Sequence, residues 1–387
     1  MQIKKQIIYL DNNATTPIDR RVLEAMMPFL TNEFANANST HLFGVRSYEA
    51  VKVARAQVAD LIGAEANETV FTSGSTEAIN LAIKGIAENY QSRGKHIVTV
   101  STEHSAVLDT CKYLESKGYE VTYLPVKPDG LIDLPILKGS LRSDTILVSV
   151  MFVNNETGVI QPIKEIAEMA HEKGALFMTD ATQAVGKISV DVDEFGIDLL
   201  CMSGHKLYAP KGVGALYVRQ RSNRVKLSPL LHGGGHERGM RSGTLNVPGI
   251  VALGMACALA QKEMEQDAEN ITILRDKLES VLQNIEEAFV NGSKEKRIYN
   301  VCNICFPGID ANMLIGRMKN VAVSNGSACT ASIIEPSHVL VAMGVSDDDA
   351  FSAIRFSLGR FNVKEDIDAV VDILEKIIPE IKSISNC

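Results

Sequence analysis

Three side chains that can bind or react with a small molecule lie within four residues of each other, at Ser203, His205 and Lys206. They follow the mostly apolar run 196–201, which predicts a buried strand, and they precede a turn rich in glycine and proline. A lysine held at the end of a buried strand can form a Schiff base with a carbonyl compound. Because a lysine in a turn is more often a solvated charge, this interpretation depends on the residues that accompany it.

A carboxylate and an anion-binding turn accompany the lysine. Asp180 ends an apolar, strand-like run, and Gln183 follows three residues later. The segment 72–77 joins another strand to a helix, whose free N–H groups, with Ser75 and Thr76, favour an anion. An amine, a carboxylate and a phosphate-binding turn at strand ends are what pyridoxal 5′-phosphate (PLP) requires. The alternatives are a structural ion pair for Asp180 and an ordinary helix cap at Ser75.

Four further side chains are candidates for substrate chemistry. His104 could stack on a cofactor ring or carry protons near neutral pH, and Asn155 could bind a substrate, although both residue types are more often structural. Arg355 lies in a run where apolar and polar residues alternate, so it either binds a substrate carboxylate in the cleft or faces outward as a surface charge. Cys329 lies among small, polar residues, which predicts an exposed thiol on a mobile loop.

The length and composition exclude several classes of protein. The 387 residues are enough for two domains, and 45% hydrophobic with 22% charged residues is ordinary globular composition. No apolar run is long enough to cross a membrane, and the net charge of -8 gives nucleic-acid binding no support. The polar N-terminus does not resemble a signal peptide, so we expect a cytoplasmic protein whose seven cysteines are reduced.

Strands and helices alternate from about residue 69 to residue 203, which predicts an α/β domain with a mostly parallel sheet. Ligands bind beyond the carboxyl ends of the strands in such sheets, and the candidate residues before the lysine turn follow strand ends. A long, alanine-rich helix from Pro248 toward Glu279 then leads to a smaller α+β part. The last helix is predicted from about Lys364 to Ile378, where Pro379 should end or kink it.

With these residues in place, the chain resembles the NifS/IscS-type cysteine desulfurases, which belong to the class-V aminotransferase family of fold type I PLP enzymes. The resemblance runs nearly from end to end and rests on motifs at 10–16, 72–77, 102–104, 154–158, 180–183, 203–206, 232–245, 326–329 and 355–360. It implies an α/β fold with a large domain, built on a mostly parallel seven-stranded sheet, and a smaller α+β domain. Residues 16–260 would form the large PLP-binding domain. Residues 1–15 and 261–387 would form the small domain, with a mobile cysteine loop at about 324–336.

The resemblance also implies how the cofactor would be held. Lys206 would carry PLP as a Schiff base, Asp180 would pair with the ring nitrogen, and His104 would stack on the ring. Gln183 would bond the ring hydroxyl. The phosphate would be held by side chains of the same subunit, namely Ser75, Thr76, Ser203 and His205. Thr244 of the partner subunit of a homodimer would complete the phosphate site.

The reaction implied by the resemblance converts L-cysteine to L-alanine. Arg355 and Asn155, which is also expected among the cofactor-binding residues, would hold the substrate carboxylate. Cys329 would take the sulfur as a persulfide and pass it to an iron–sulfur scaffold protein or a tRNA-thiolation acceptor. We expect no metal site, apart from Cys329 as a transient iron–sulfur ligand, and neither a nucleic-acid nor a membrane partner. The alternatives are a selenocysteine lyase, another fold type I enzyme such as an aminotransferase, or a non-catalytic sulfur-assembly subunit.

Overall fold

The computed structural model describes residues 7–222, 224–325 and 335–385. Its strands in chain order are β1 (Ile8–Tyr9), β2 (Thr69–Thr72), β3 (His96–Val100), β4 (Glu120–Leu124), β5 (Thr145–Ser149), β6 (Leu176–Asp180), β7 (Leu199–Ser203), β8 (Gly214–Val218), β9 (Phe289–Val290), β10 (Val301–Cys305), β11 (Val321–Ala322) and β12 (Ala353–Ser357). Its α-helices are α1 (Arg20–Thr31), α2 (Leu42–Leu61), α3 (Ser75–Tyr90), α4 (Ser105–Glu115), α5 (Leu134–Ser140), α6 (Ile163–Glu172), α7 (Val247–Leu282), α8 (Ala311–Met318), α9 (His338–Ala342), α10 (Asp347–Phe351) and α11 (Lys364–Ser385).

A seven-stranded sheet is the largest element, with strand order β2-β8-β7-β6-β5-β3-β4. Neighbouring strands from β7 to β4 pair in parallel, whereas β8 is antiparallel to both β7 and β2. Every residue of β3, β5 and β7 is buried, which explains why these strands are continuous apolar runs in the sequence. The predicted α/β fold with a mostly parallel sheet is therefore confirmed.

Helices cover both faces of this sheet, because successive side chains of each strand point to opposite sides. In β7, Leu199 and Cys201 pack into the core formed with α3 and α4. Leu200 and Met202 pack into the core formed with α2, α6 and the first half of α7. The sheet is thus held between two helical layers, and its carboxyl edge is left to the loops that carry the candidate site residues.

A second, smaller set of strands follows α7. Strands β9, β10 and β12 form an antiparallel sheet in the order β12-β10-β9, and β11 pairs in parallel with β1 from the start of the chain. Their core includes Leu10 together with the buried side of α11. Helix α7 joins the two regions, since Leu253 lies in a core of the large sheet and Leu278 lies in the core of the small one.

The last helix differs from the prediction that Pro379 would end or kink it near Ile378. Helix α11 continues through Pro379 to Ser385. Proline removes one backbone hydrogen bond, but Ile378 and Ile381, on either side of it, are both buried in the small core. The packing of these side chains compensates for the lost hydrogen bond, so the helix continues.

No helix in the described ranges combines the length and the apolar character needed to span a membrane. Within the same ranges, no group of three or more histidine, cysteine, aspartate or glutamate side chains is placed to hold a metal ion. Five cysteines are described, and all of them are buried and unpaired: Cys111, Cys201, Cys257, Cys302 and Cys305. Cys329 and most of the predicted cysteine loop, residues 326–334, lie outside the described residues.

Candidate active site

The predicted lysine and aspartate lie at the same edge of the large sheet. Strands β6 and β7 are parallel neighbours, and Asp180, the last residue of β6, is paired with Cys201. Lys206 lies in a single 3-10 turn, Gly204–Lys206, which starts directly after Ser203 ends β7. Two adjacent strands therefore end in a carboxylate and an amine, at the edge where ligands bind in open α/β sheets.

The lysine turn is held in place by the segment that follows β1. Lys206 Nζ donates hydrogen bonds to the backbone carbonyls of Asn13, at 2.6 Å, and Ala14, at 2.7 Å. Thr16 fixes the turn from both sides: its backbone N–H donates to the carbonyl of His205, at 2.9 Å, and its hydroxyl oxygen accepts from the backbone N–H of Tyr208, also at 2.9 Å. The position of the Lys206 amine is thus set by residues almost 200 positions earlier in the chain.

Asp180 is buried, and the hydrogen bonds described for it come from neutral groups. Its Oδ1 accepts from the backbone N–H of Thr182, at 3.0 Å, and from the hydroxyl of Ser75, at 3.4 Å. No side chain of the described part of the chain forms an ion pair with it, so the alternative of a structural ion pair is not seen there. A buried carboxylate of this kind is suited to a cationic ligand group, such as a protonated ring nitrogen.

The start of α3 offers an anion site beside Asp180. Gly74 occupies the N-cap position and supplies no side-chain hydrogen bond to the helix. Ser75 and Thr76 form its first turn, and Ser203 lies nearby, because a β-carbon added at Gly74 would be 3.7 Å from Ser203 Oγ. Backbone N–H groups, the positive end of a 16-residue helix and three hydroxyl groups are the donor set that a phosphate requires. His205 lies in the adjacent lysine turn.

Both histidines of the site favour the neutral form. Burial lowers the pKa of His104; Lys206 and His338 lower it further, while Asp180 opposes them. His104 Nδ1 accepts a hydrogen bond from the backbone N–H of Ala106, at 3.1 Å, so the proton of the neutral ring belongs on Nε2. Burial, with the charge of Lys206, lowers the pKa of His205 to about 4. Both rings are therefore neutral at neutral pH.

Arg355 faces inward, which decides between the two orientations that the sequence left open. It is buried in β12, where Nη1 donates to the carbonyl of Asn155, at 3.1 Å, and Nη2 pairs with Asp11, at 2.8 Å. Its Nε is buried with no hydrogen-bond partner in the described structure. Asn155 meets Arg355 through its backbone rather than its side chain, so the small sheet and the large sheet both contribute to this corner of the site.

The family of the chain is decided by its similarity to known proteins. Residues 8–370 match the family model described as Aminotransferase class-V. The cysteine desulfurase IscS of Edwardsiella ictaluri (strain 93-146) is 51% identical over 381 residues, which cover 98% of this chain and 94% of that protein. The cysteine desulfurase IscS of Rickettsia massiliae (strain Mtu5) is 50% identical over 380 residues, covering 98% and 92%. The chain belongs to the class-V aminotransferase family.

Solved structures of similar proteins support the same membership. A structure described as a NifS-like protein superposes with a TM-score of 0.91 at 39% identity, covering 97% of this chain and 100% of the other. A structure described as SspA in complex with cysteine gives a TM-score of 0.81, also at 39% identity, covering 92% and 99%. The resemblance predicted from the sequence is thus confirmed for this class-V family member.

Cysteine desulfurases of the class-V family depend on PLP, and the residues of this site fit that group. Lys206 provides an amine at the end of β7, and Asp180 provides a buried carboxylate without an ion-pair partner among the described residues. The uncapped start of α3 provides donors for a phosphate. The carboxylate and the start of the helix are opposite in charge to the protonated ring nitrogen and the phosphate that they would bind, and the amine can react with the aldehyde.

One described site residue of this family member, Thr244, is not brought into the cluster, and a second predicted residue lies outside the described ranges. Thr244 is exposed in the segment before α7, and no described contact joins it to the other candidates. Cys329 lies outside the described residues, so its position relative to Lys206 and Arg355 stays a prediction.

Several residues of the site were missed by the sequence reasoning. The carbonyl of Asn13 accepts from Lys206, a role that no side-chain pattern can reveal. Asp11, the partner of Arg355, and Asn13 both follow the first strand, so the rule that ligands bind beyond strand ends could have found them. Glu103 is fully buried beside His104, and burial, with the charge of Asp180, raises its pKa well above the usual range. Lys187 lies four residues after Gln183, a spacing that predicts contact on a helical turn.

Proposed function

We propose that this class-V family member is a PLP-dependent cysteine desulfurase, which converts L-cysteine to L-alanine and places the sulfur on Cys329. The observation that carries the proposal is the convergence of Lys206 and Asp180, at the carboxyl edge of the large sheet, with Arg355 of the small sheet, which reaches the backbone of Asn155. The relatives at 50–51% identity, all named cysteine desulfurase, support the choice of reaction. The solved structure described as SspA in complex with cysteine supports the choice of substrate.

The cofactor would be held by residues at three strand ends. Lys206 would bond its aldehyde, Asp180 would face its ring nitrogen, and Gln183 would donate to its ring hydroxyl. The phosphate would be held by Ser75, Thr76, Ser203 and His205, together with Thr244 of the partner subunit, while Asn155 would contact both cofactor and substrate. When bound, PLP supplies an electron sink that weakens the bond between the substrate β-carbon and its sulfur.

Proton transfer would fall to the amine of Lys206, with His104 beside the cofactor ring. His104 is neutral at physiological pH because burial lowers its pKa, and since its Nδ1 accepts from Ala106, its Nε2–H can donate a hydrogen bond while the ring stacks. Lys206 already lies within hydrogen-bonding distance of two backbone carbonyls, which fix its amine in one place. A base held in a fixed position needs little rearrangement before it accepts a proton from the substrate.

The substrate carboxylate would be bound by Arg355 and Asn155. The guanidinium of Arg355 is held by Asp11 and by the carbonyl of Asn155, and its buried Nε has no partner in the described structure. A carboxylate would satisfy that donor and bring the negative charge that balances the site. The position of Arg355 would thereby select amino acids and orient the sulfur away from it.

Cys329 would act as the nucleophile toward the substrate sulfur, since a thiolate attacks sulfur readily. The carbon–sulfur bond breaks, L-alanine leaves after protonation, and Cys329 retains the sulfur as a persulfide. That persulfide would then pass to an acceptor, either a scaffold protein for iron–sulfur clusters or a tRNA-thiolation protein. We propose the cytoplasm as the location of this reaction.

The decisive experiment compares the wild type with Cys329→Ser, using L-cysteine and a reducing agent. We expect the wild type to be yellow and to release alanine and sulfide in equal amounts. We expect Cys329→Ser to keep the yellow colour but to lose sulfide release by about 100-fold, because a thiol in solution lacks the advantage of position that Cys329 has. Amino-acid analysis and a sulfide assay measure the two products.

Four other outcomes would each exclude a part of the proposal. A colourless protein that cannot be reconstituted with PLP would indicate a non-catalytic subunit. Full sulfide release by Cys329→Ser would place the persulfide elsewhere. Release of selenide from selenocysteine, with none of sulfide from cysteine, would identify a selenocysteine lyase. Transamination of other amino acids without sulfide would identify an aminotransferase.

A homodimer is proposed because one side of the chain exposes apolar side chains. Leu23, Met27 and Leu30 lie on one face of α1, and each is more than 40% exposed. Phe34, just after that helix, is 76% exposed. Apolar surface of this kind is typical of an interface, and a second copy of the chain would also bring Thr244 to the phosphate.

The dimer is tested by placing a charge on that face. We expect the wild type to have twice the 42.1 kDa mass of the chain in light scattering, and Leu30→Asp to have the single-chain mass, because the charge would be buried unpaired. Ile273, which is 69% exposed on α7, provides the matched control, since Ile273→Asp should remain dimeric. A dimeric Leu30→Asp would contradict the proposed interface.

We also propose that residues 16–260 form the PLP-binding domain and that residues 1–15 and 261–387 form the small domain with the cysteine loop at about 324–336. The distribution of core residues supports this division. Ala260 packs into a core of the large sheet, whereas Ile271, three turns further along α7, packs into the core of the small one.

A further inference from the structure

A buried lysine lies behind the candidate cofactor site and has no role in the reaction proposed above. Lys187 follows β6, and only 9% of it is exposed. Its Nζ donates a hydrogen bond to Oε1 of Gln183, at 2.6 Å. Within the described ranges, no carboxylate forms an ion pair with it. Lysines are almost never buried without an anionic partner, so this position requires an explanation.

The contact with Lys187 fixes which end of the Gln183 amide faces the site. An ammonium group only donates hydrogen bonds, so the atom facing Lys187 must be the amide oxygen. The amide nitrogen then points the other way, where it donates to the carbonyl of Asn13, at 3.0 Å. That carbonyl also accepts from Lys206, at 2.6 Å. A continuous hydrogen-bonded chain therefore runs from Lys187 through Gln183 and Asn13 to Lys206.

We propose that Lys187 is a positioning residue for the cofactor, which holds Gln183 with its amide nitrogen toward the ring oxygen and places a positive charge behind that amide. The inference rests on the proposed function, because it assumes that PLP binds here. The carbonyl of Asn13 holds the same amide by its nitrogen. Without Lys187, the amide oxygen would lose its buried partner and the amide would be held from one end only, so its hydrogen bond to the ring oxygen would weaken.

The charge of Lys187 depends on the groups around it. Burial, together with the positive charges of Lys206 and Arg355, lowers the pKa of Lys187 to about 7. A negatively charged ring oxygen beyond Gln183 would favour the charged form and raise that pKa again. Lys187 would then be positive at neutral pH, and its charge would help the bound chromophore to lose its proton.

The experiment compares two substitutions that separate the hydrogen bond from the charge. Lys187→Met removes both, whereas Lys187→Gln keeps a donor for Gln183 without the charge. In Lys187→Met, we expect the dissociation constant of PLP to rise by about tenfold, which corresponds to the loss of one well-placed hydrogen bond. We also expect the pH midpoint of the visible band to rise by about one unit, because removing a nearby cation makes the protonated chromophore harder to deprotonate.

Lys187→Gln should bind PLP almost as tightly as the wild type, while its pH midpoint should stay raised. Thermal unfolding of all three proteins shows whether they are folded. If Lys187→Met has a wild-type affinity and pH midpoint, or changes only in melting temperature, Lys187 is merely structural and the inference is wrong. If the wild type itself acquires no visible band with PLP, the proposed function fails first and the inference fails with it.

Discussion

Replacing Lys206 with alanine is expected to lower the turnover of L-cysteine by roughly 10⁵-fold, because one substitution removes both the covalent attachment of the cofactor and the base beside it. The amine is held by the carbonyls of Asn13 and Ala14, so the substitution removes a base that the fold keeps in one position. The visible band of the bound cofactor should also be lost or shifted. Absorption spectra and alanine release from the purified variant measure the two effects.

Lys211 provides the matched control for this substitution. It lies five residues later in the same glycine- and proline-rich turn, but its side chain is exposed. Lys211→Ala should therefore keep both the colour and the turnover of the wild type. If Lys206→Ala retained the band and the activity, or if Lys211→Ala lost them, the amine that bonds the cofactor would have been assigned wrongly.

The sequence predicted the strands and helices whose burial produces a recognisable pattern of apolar residues along the chain. Strands β3, β5 and β7 are buried on both sides, so each is a continuous apolar run. The short helices α9 and α10 were missed, because five residues make little more than one turn and show no helical period. Helix α11 continues through Pro379 because the side chains beyond the proline are buried. Local helix propensity does not include this tertiary packing.

The part of the candidate site that consists of reactive or charged side chains could be predicted from the sequence. Lys206 and Asp180 were predicted because an amine and a carboxylate at strand ends have few other uses in combination, and Arg355 was predicted from the alternation of apolar and polar residues in its strand. The role of the Asn13 carbonyl was not predicted. Every residue has a backbone carbonyl, and only the fold determines which carbonyl accepts from Lys206. Lys187 was missed for another reason: a lysine is expected at the surface, and only the structure shows that this one is buried.

Replacing Asp180 with asparagine is expected to lower turnover by about 10³-fold while leaving PLP bound, because the substitution removes a charge but almost no volume. Asparagine keeps an oxygen that can accept from Thr182 and Ser75, so the local structure should persist. A neutral amide cannot hold the ring nitrogen in its protonated form, and the ring then withdraws electrons less strongly. The turnover number should therefore fall far more than the affinity for L-cysteine, and steady-state kinetics separates the two.

A second buried aspartate distinguishes this electronic role from a structural one. Asp198 accepts a hydrogen bond from His171 Nε2, at 2.7 Å, and pairs with Arg219, at 3.3 Å, just before β7 begins. Asp198→Asn should lower the free energy of unfolding by about 1–3 kcal/mol without changing the turnover of the folded enzyme. Asp180→Asn should do the reverse, because its carboxylate is paired with no cation of the described chain and its charge serves the ligand rather than the fold. If both variants lost stability and neither lost turnover, Asp180 would be a structural residue and the ring nitrogen would need another partner.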